Sequence, residues 1–529
     1  MSRHYLSIGE RLDQVVEENL DSICLYYQDK VYTFKLFNEI VNQYANFYYN
    51  HGVHKGDKVA LLVPNNDICA INLVALIKLG AVPVPVNYNK ISEGLKYILN
   101  HCDAKHLLLD VTFKENFAEI ARNLEKLTSV FTINFSGKET IHNSQQQTFI
   151  SVEKALPHQS VTLEFRYPQI DPLDTMEIIY TSGTTGPPKG VIWTHNKFDN
   201  TPAKTIGFTK ADTMYICLPL FHGLAQTMFF MCLLEGASCV LSQKFSASRF
   251  WEDIQKYDAN WFCYIGAMIS ILLKKQESSF DKDNAVQYCY GCGAPKDPKV
   301  WMEFEKRFNL QIIEYYGATE GGTVTTGTKP GSVGKVKTNY EVKILNEKGN
   351  ECTKNAIGEL LYRTKDPEDF FKGYYKNPEA TKEKIQDGWL KSGDFVYQDE
   401  EGYLYFEGRK VESIRRKGEN ISPWEVESII NGHEAIKESA AVPVPSEVGE
   451  DEVKLCIVFK RGKKLSYTEI ITYCVENMAH YLVPRYIELY DELPKTPTQK
   501  IERSKLKLRG ITQKTWDREN SIYKEYEKR

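Results

Sequence analysis

No stretch of this sequence is apolar for long enough to cross a bilayer. The most apolar one, Ile68 to Val86, is interrupted by Asn72, Lys78, Gly80, Pro83 and Pro85, whereas a spanning helix needs about 20 consecutive apolar residues. Charge of one sign is lacking too. Lys and Arg number 66 against 70 Asp and Glu, a formal net charge of −4, which offers no electrostatic basis for nucleic acid or an anionic membrane as partner. Cysteine is present but unpatterned. Of 12 cysteines only Cys289 and Cys292 have CxxC spacing, and no nearby Cys or His pair completes a zinc site. Scattered thiols packing as small apolar groups fit a reducing cytoplasm. The segment Met1 to Asp21 carries Arg3, Glu10, Arg11, Asp13, Glu17 and Glu18 and no apolar core, so no secretory leader is expected. No internal repeat is visible, and the short Gln145-Gln146-Gln147 patch reads as a surface loop.

What is present is an ordinary globular composition, 42% hydrophobic and 26% charged, on a chain long enough for several packed units. One loop stands out. Met176–Tyr180 and Gly190–Thr194 read as two strands, and between them lies Thr181-Ser182-Gly183-Thr184-Thr185-Gly186-Pro187-Pro188-Lys189. Glycines let the main chain approach a ligand closely, small hydroxyls and backbone N–H groups suit anionic oxygens, and Lys189 adds a point charge for phosphate. A P-loop would place Lys directly after Gly and before Ser or Thr; Lys189 instead follows Pro188 and precedes Gly190. A Gly-, Pro- and Thr-rich turn with no ligand is the bland alternative, but so long a hairpin loop is usually functional.

Upstream, Val59–Pro64 reads as a buried strand. Asn65 or Asn66 then caps a helix with Ile68, Ile71, Ala75 and Leu79 on one face, Gly80 ends it, and Val82–Val86 is extended. This strand–helix–strand unit implies a parallel sheet covered by helices. A further helix is expected over Ser92–Asn100 and a strand over Lys105–Asp110, and the texture recurs through Ala211–Lys256. The fold class expected is therefore α/β, with a large body of stacked sheets. From Val333 to Tyr362 short strands alternate with turns, a small β-subdomain. Beyond Arg409 comes a compact α+β unit: helix Pro423–Asn431, strands Glu438–Pro443 and Glu452–Lys460, helix Ser466–Asn477 and strand Tyr486–Leu489. The charge-dense tail from Lys500 reads as a solvated helical face.

The loop closely resembles the phosphate-binding signature of the adenylate-forming superfamily, which comprises acyl-CoA synthetases, peptide-synthetase adenylation domains and beetle luciferases. Further matches follow in that family's order: Tyr316-Gly317-Ala318-Thr319-Glu320, Gly388-Trp389-Leu390-Lys391-Ser392-Gly393-Asp394, Gly408-Arg409, Arg416-Lys417-Gly418-Glu419-Asn420 and Pro494-Lys495-Thr496-Pro497-Thr498-Gln499-Lys500. The resemblance implies an N-terminal domain, residues 1–409, that binds ATP and acid, and a mobile C-terminal lid, residues 410–529, that carries the catalytic lysine and serves the coenzyme A half-reaction. It implies a two-step reaction. A carboxylate attacks the α-phosphorus of ATP to give acyl-adenylate and pyrophosphate, and a thiol then displaces AMP.

Residue by residue, the resemblance implies that Thr181, Ser182, Gly183, Thr184, Thr185, Gly186 and Lys189 cradle phosphate, and that Glu320, with Thr184, holds Mg²⁺ on ATP. Thr319 bonds the α-phosphate, and Gly293-Ala294-Pro295 is the strip along which adenine lies. Tyr316 or Tyr315 stacks on the base, beside Gly317 and Ala318. Asp394 takes the ribose hydroxyls, Arg409 contacts ribose or phosphate, Lys417 and Gly418 line the pantetheine tunnel, and Lys500 bridges carboxylate and α-phosphate. The family usually has Gly where Gln499 stands, and Val411 falls at the hinge. Without the surrounding motifs Glu320 reads as a solvated charge, Asp394 as a turn residue bonding its own backbone, and Lys500 as a tail lysine.

In Leu218-Pro219-Leu220-Phe221-His222-Gly223, His222 replaces the Asp with which amino-acid-activating members bind an ammonium group. An amino-acid substrate is therefore disfavoured, and His222 is expected near the acid's carboxylate. Lys244-Phe245-Ser246-Ala247-Ser248-Arg249-Phe250-Trp251 looks like the crotonobetaine/carnitine-CoA ligase branch. A cage for a quaternary ammonium would need aromatic faces; Trp261 and Tyr264 are candidates, though both also read as core. Ile265-Gly266 replaces the usual Val-Pro, and Cys292 stands where a small Gly is common. The expected function is an ATP-dependent carboxylic acid:CoA ligase acting on a medium-sized organic or fatty acid, as a cytoplasmic monomer or homodimer. The alternatives are an acyl-AMP ligase serving a carrier protein and an inert nucleotide-binding regulator.

Overall fold

Strand–helix–strand units of the kind expected for residues 59–86 build two parallel sheets in the computed structural model. It describes residues 5–88, 92–135, 147–181, 188–409, 414–416, 419–421, 423–446, 451–478, 482–496 and 499–520. Lys58–Leu62 runs parallel to Val82–Pro85, and the helix Asp67–Leu79 joins them. Asn66 is its cap, the side-chain oxygen accepting from Cys69 N at 3.0 Å, and Gly80 closes it at φ 72°. The helix is buried along nearly its whole length, not on the single face expected. With almost no polar side it can only be enclosed. Lys78, taken from sequence as an interruption, is fully buried there. Its ammonium donates to Asp13 and Asn38, each at 2.6 Å, and to Asn42 at 3.0 Å, which offsets the desolvation that lowers its pKa.

The first sheet has the order Val82–Pro85, Lys58–Leu62, His106–Asp110, Ser129–Ile133, Thr148–Ser151, all parallel. The second runs Gln311–Glu314, Tyr288–Cys292, Trp261–Ile265, Thr213–Ile216, Ser238–Leu241, Ile23–Tyr27, again parallel, with Lys30–Thr33 added antiparallel at the edge. Strands that have both faces covered read as unbroken apolar runs, as Trp261-Phe262-Cys263-Tyr264 does. Trp261 stacks on Tyr288 at 4.6 Å, and the Tyr264 hydroxyl donates to the Glu314 carboxylate. Both rings are core, so neither supplies the aromatic cage considered above. All 12 cysteines are free.

The chain divides into two compact units, and the second takes Val342–Tyr362 together with Lys391 onward. Most of the small β-sheet expected in the body, including Gly358–Tyr362 and the strand Leu404–Arg409, thus belongs with the second unit. Within that unit a four-stranded sheet has the order Ile436–Pro445, Asp451–Phe459, Tyr486–Leu489, Trp516–Asp517. The helices Pro423–Asn431 and Tyr467–Asn477 cover it through Val426, Ile430, Ile470 and Ile471. Ser466 and Glu469 close the second helix with a reciprocal capping box. The solvated helix expected of the tail is present but short, Arg503–Arg509 with only Leu506 buried. After the short helix Arg503–Arg509, Trp516–Asp517 pairs antiparallel with Tyr486–Leu489, and Arg485 holds Asp517 at 3.1 Å. Trp516 stacking on Tyr467 at 5.1 Å gives this edge the apolar burial that a charged helix would lack.

Candidate functional site

The glycine-rich loop leaves and re-enters a hairpin, as its flanks require. Thr175–Thr181 pairs antiparallel with Lys189–Thr194, and Thr181 faces Lys189 across the last register position. Ser182, Gly183, Thr184, Thr185 and Gly186 lie outside the described residues, as do Val411, Lys417, Gly418 and the side chain of Arg409. The foot of the hairpin is tied to a distant segment. Tyr375 N donates to Gly190 O at 2.8 Å, and the Lys189 ammonium sits 5.1 Å from the centroid of the Tyr374 ring. The Tyr374 hydroxyl in turn donates to Glu320 Oε1 at 2.7 Å. Burial, then the Glu320 charge, hold this phenol well above its usual pKa, so it stays a donor.

Glu320 stands at the tip of a small hairpin in which Gly317–Ala318 pairs with Gly322–Thr323. Its neighbour Thr319 accepts a bond from Trp193 Nε1 at 2.8 Å. Gly223 presses on the same tryptophan: a Cβ there would lie 3.0 Å from the ring and 3.8 Å from Thr319 Oγ1. Packing thus brings Gly223, the residue after His222, beside Thr319, 96 positions away in sequence. His222 precedes the helix Gly223–Glu235 at its N-cap. The segment is pinned on both sides. Leu220 N donates to Asn65 Oδ1 at 2.9 Å, while Gln226 Nε2 donates to Leu220 O at 2.6 Å and to Glu177 Oε1 at 2.7 Å. Glu177 is fully enclosed in the hairpin, and burial pushes its carboxyl up to about 8.

The strip Gly293-Ala294-Pro295 follows the strand Tyr288–Cys292 and is held from behind by Glu314. Its carboxylate accepts from Gly293 N at 2.6 Å and Ala294 N at 3.1 Å, and burial raises its pKa to about 7 against those bonds. Gly266 is required here: a Cβ would fall 1.8 Å from Gly293 O, which gives a steric reason for Ile265-Gly266. Tyr315 stacks on Tyr290 at 5.0 Å, and Tyr316 is buried with its N–H on Thr325 Oγ1 at 2.9 Å. Among the described residues no cluster of three or more His, Cys, Asp or Glu could hold a metal alone. Glu320 offers one carboxylate, with its Oε1 bonded by Tyr374. That fits magnesium, which commonly takes one or two carboxylates and completes its shell with substrate phosphates and water.

In the second unit Asp394 does not end a turn. It lies within the strand Trp389–Gln398, kinked by Gly393 at φ 75°, and its N–H is bonded by Ser392 Oγ at 2.9 Å. The register sets Asp394 directly opposite Arg409, so two motifs read separately share one end of the sheet. Lys500 is exposed; its O accepts from Thr496 N at 2.7 Å, and its neighbour Gln499 has φ 61°. Sequence reasoning missed Trp193, Lys197, Glu314 and Tyr374. Each is an ordinary residue in a strand, loop or short helical turn, and only its contacts mark it.

Similar proteins are found by both sequence and structure. Residues 12–375 match the model of the AMP-binding enzyme family, and residues 425–500 that of the AMP-binding enzyme C-terminal domain. The crotonobetaine/carnitine–CoA ligase of Salmonella enteritidis PT4 (strain P125109) is 31% identical over 491 residues, 90% of this chain and 93% of the relative. Its counterpart in Proteus mirabilis (strain HI4320) is 31% identical over 523 residues, covering 95% and 99%. Among solved structures, an anthranilate CoA ligase in complex with anthranoyl-AMP superposes with a TM-score of 0.84 at 27% identity, covering 95% of this chain and 97% of that one. The O-succinylbenzoate coenzyme A synthetase of Bacillus subtilis, in complex with ATP and magnesium ion, gives 0.81 at 26% identity, covering 94% and 98%. With both family models matched in order, and with the Lys189, Thr319 and Glu320 segments assembled around Trp193 and Tyr374, the chain belongs to the AMP-binding enzyme family.

Proposed function

We propose that the chain is an AMP-forming carboxylic acid:CoA ligase. The observation that carries this reading is the convergence through Tyr374: Lys189, at the foot of the anion-suited loop, and Glu320, 131 positions later in sequence, meet on one phenol ring. A cation and a metal-binding carboxylate held together in this way suit a triphosphate, since both signs are needed to place it and to offset charge developing at phosphorus. Lys189 and the loop hold the phosphates, and Thr319 and the Gly293–Pro295 strip orient the nucleotide. Glu320, with Thr184, would hold magnesium, which when bound draws charge off the phosphate oxygens. His222 and Gly223 set the acid's carboxylate beside Thr319, in line with the α-phosphorus.

Asp394 and Arg409 bind the ribose side of the nucleotide, and Lys500 bridges carboxylate and α-phosphate in the first step. A functional division at Arg409 leaves Lys500 on the part that moves between half-reactions. The thiol of coenzyme A then attacks the acyl carbon, expelling AMP. The test is AMP formation by the full chain with a panel of carboxylic acids, with and without coenzyme A. Acid-dependent pyrophosphate release together with coenzyme A-dependent turnover supports the ligase. Turnover only with a carrier-protein thiol makes the chain an acyl-AMP ligase, and no acid-dependent pyrophosphate at all refutes the proposal.

A further inference from the structure

We infer that Lys197 selects the acid, and that the preferred substrate carries a second anionic group, such as a distal carboxylate, at its far end. This rests on the ligase reading and deepens it. A cleft lined by Trp193, Lys197, Thr227, Glu320, Tyr340 and Asp369 opens beside the reacting segment. Trp193 is their common wall, since its indole nitrogen bonds Thr319 and its ring packs on Gly223. The cleft borders the same two elements, through Thr227 on the helix that begins at Gly223 and through Glu320 beside Thr319, so an acid whose carboxylate lies at Thr319 would extend its other end along Trp193 into it.

The Lys197 ammonium lies 5.0 Å from the centroid of the Trp193 ring. Gly322, at φ 70°, keeps the space beside it open: a Cβ there would lie 3.3 Å from Lys197 Nζ and 3.1 Å from Tyr340 Oη. Among the described residues no hydrogen bond or ion pair ends on this ammonium. Glu320 accepts from Tyr374 at 2.7 Å and Asp369 from Asn200 at 3.0 Å, and neither carboxylate bonds the Lys197 ammonium. A half-buried ammonium with three donors and no protein acceptor calls for an acceptor from the ligand. The charged groups facing it are Glu320 and Asp369, which favour its charge, and Lys337, which opposes it; Lys372 also lines the cleft. Burial is the largest influence and brings Lys197 down to about 8, so it is mostly cationic at neutral pH.

The same geometry argues against a quaternary ammonium acid. The Trp193 face is already covered by the Lys197 cation, and two cations on one indole repel. This chain therefore parts from the acids named for its crotonobetaine/carnitine–CoA ligase relatives.

The experiment compares acids of one chain length that end in a methyl, a carboxylate or a trimethylammonium group, reading kcat/KM from pyrophosphate release by the full chain. The carboxylate-ended acid should be preferred by about 10- to 100-fold, the worth of one charge-assisted hydrogen bond. Lys197→Met should erase the preference through KM and leave the methyl-ended acid within about twofold, while Lys197→Arg retains it. Equal use of the methyl- and carboxylate-ended acids by the unaltered protein, or preference for the trimethylammonium acid, overturns the inference without needing a variant. A Lys197→Met enzyme slowed equally on every acid, with a changed magnesium requirement, also overturns it, since Lys197 would then serve Glu320. Release of no pyrophosphate with any acid sinks the ligase reading itself.

Discussion

Tyr374→Phe removes one oxygen atom and isolates the contact on which the proposed site turns. The ring stays, so the Lys189 ammonium keeps its aromatic face at 5.1 Å, and only the hydroxyl's 2.7 Å bond to Glu320 is lost. A hydrogen bond to an ionised carboxylate is worth about 1.5–3 kcal/mol. If all of it is expressed while Glu320 holds magnesium on the phosphates, adenylation slows by about 10- to 150-fold. A Glu320 carboxylate without its donor is also less well aimed, so half-maximal rate should need more magnesium. The assay is single-turnover pyrophosphate release at saturating acid across a magnesium series. A parallel measurement converts supplied acyl-adenylate and coenzyme A to thioester, which should stay within about twofold because no triphosphate is present in that step. Tyr374→Ala, which strips the ring from Lys189 as well, should fall further. The reasoning is refuted if Tyr374→Phe adenylates at the original rate with an unchanged magnesium requirement, or if both half-reactions slow alike in a protein of unaltered Tm.

Lys500→Ala should slow adenylation by on the order of 10²–10³, the usual loss for one transition-state donor, while thioester formation from supplied acyl-adenylate survives; equal losses in the two steps would remove Lys500 from its role. Gln499 holds a left-handed conformation, φ 61°, beside that lysine. Because such backbone costs a side-chain-bearing residue about 1 kcal/mol or more, Gln499→Gly should relax the backbone there, and hydrogen exchange at Lys500 N unchanged by the substitution would contradict this. Glu177 has its carboxyl raised to about 8 by burial. The folded protein thus keeps a proton there that the unfolded chain releases near the ordinary 4.5, and this contribution to stability, complete below 4.5, is lost as pH rises through about 8. Glu177→Gln should therefore gain Tm relative to the original protein between pH 5 and pH 8, and a constant difference across that range would show that Glu177 is ionised in the fold.

Much of the architecture was legible because local chemistry and tertiary packing demand the same thing. Asn66 caps, Gly80 ends its helix left-handed, and the loop sits between two strands because the apolar runs on either side can do little else. The order of motifs carried the family, and their polar residues the reaction class. Where sequence failed, a contact between remote segments had decided the outcome. Lys78 reads only as a charge that interrupts an apolar run until Asp13, Asn38 and Asn42 surround it. The charged tail reads as a solvated helix, which holds over Arg503–Arg509, but beyond it Arg485 and Tyr467 offer Trp516–Asp517 a sheet edge. Trp261 and Tyr264, read from sequence as core more than as cage walls, are indeed held there by Tyr288 and Glu314. The sequence by itself determined which strands and helices form and which motifs the chain carries, since periodicity, caps and glycines act over a few residues. Only the tertiary structure decided that Tyr374 joins Lys189 to Glu320, and that Lys197 faces the cleft beside Trp193. A side chain's partners depend on which distant backbone is folded against it, and nothing in the local pattern encodes that distance.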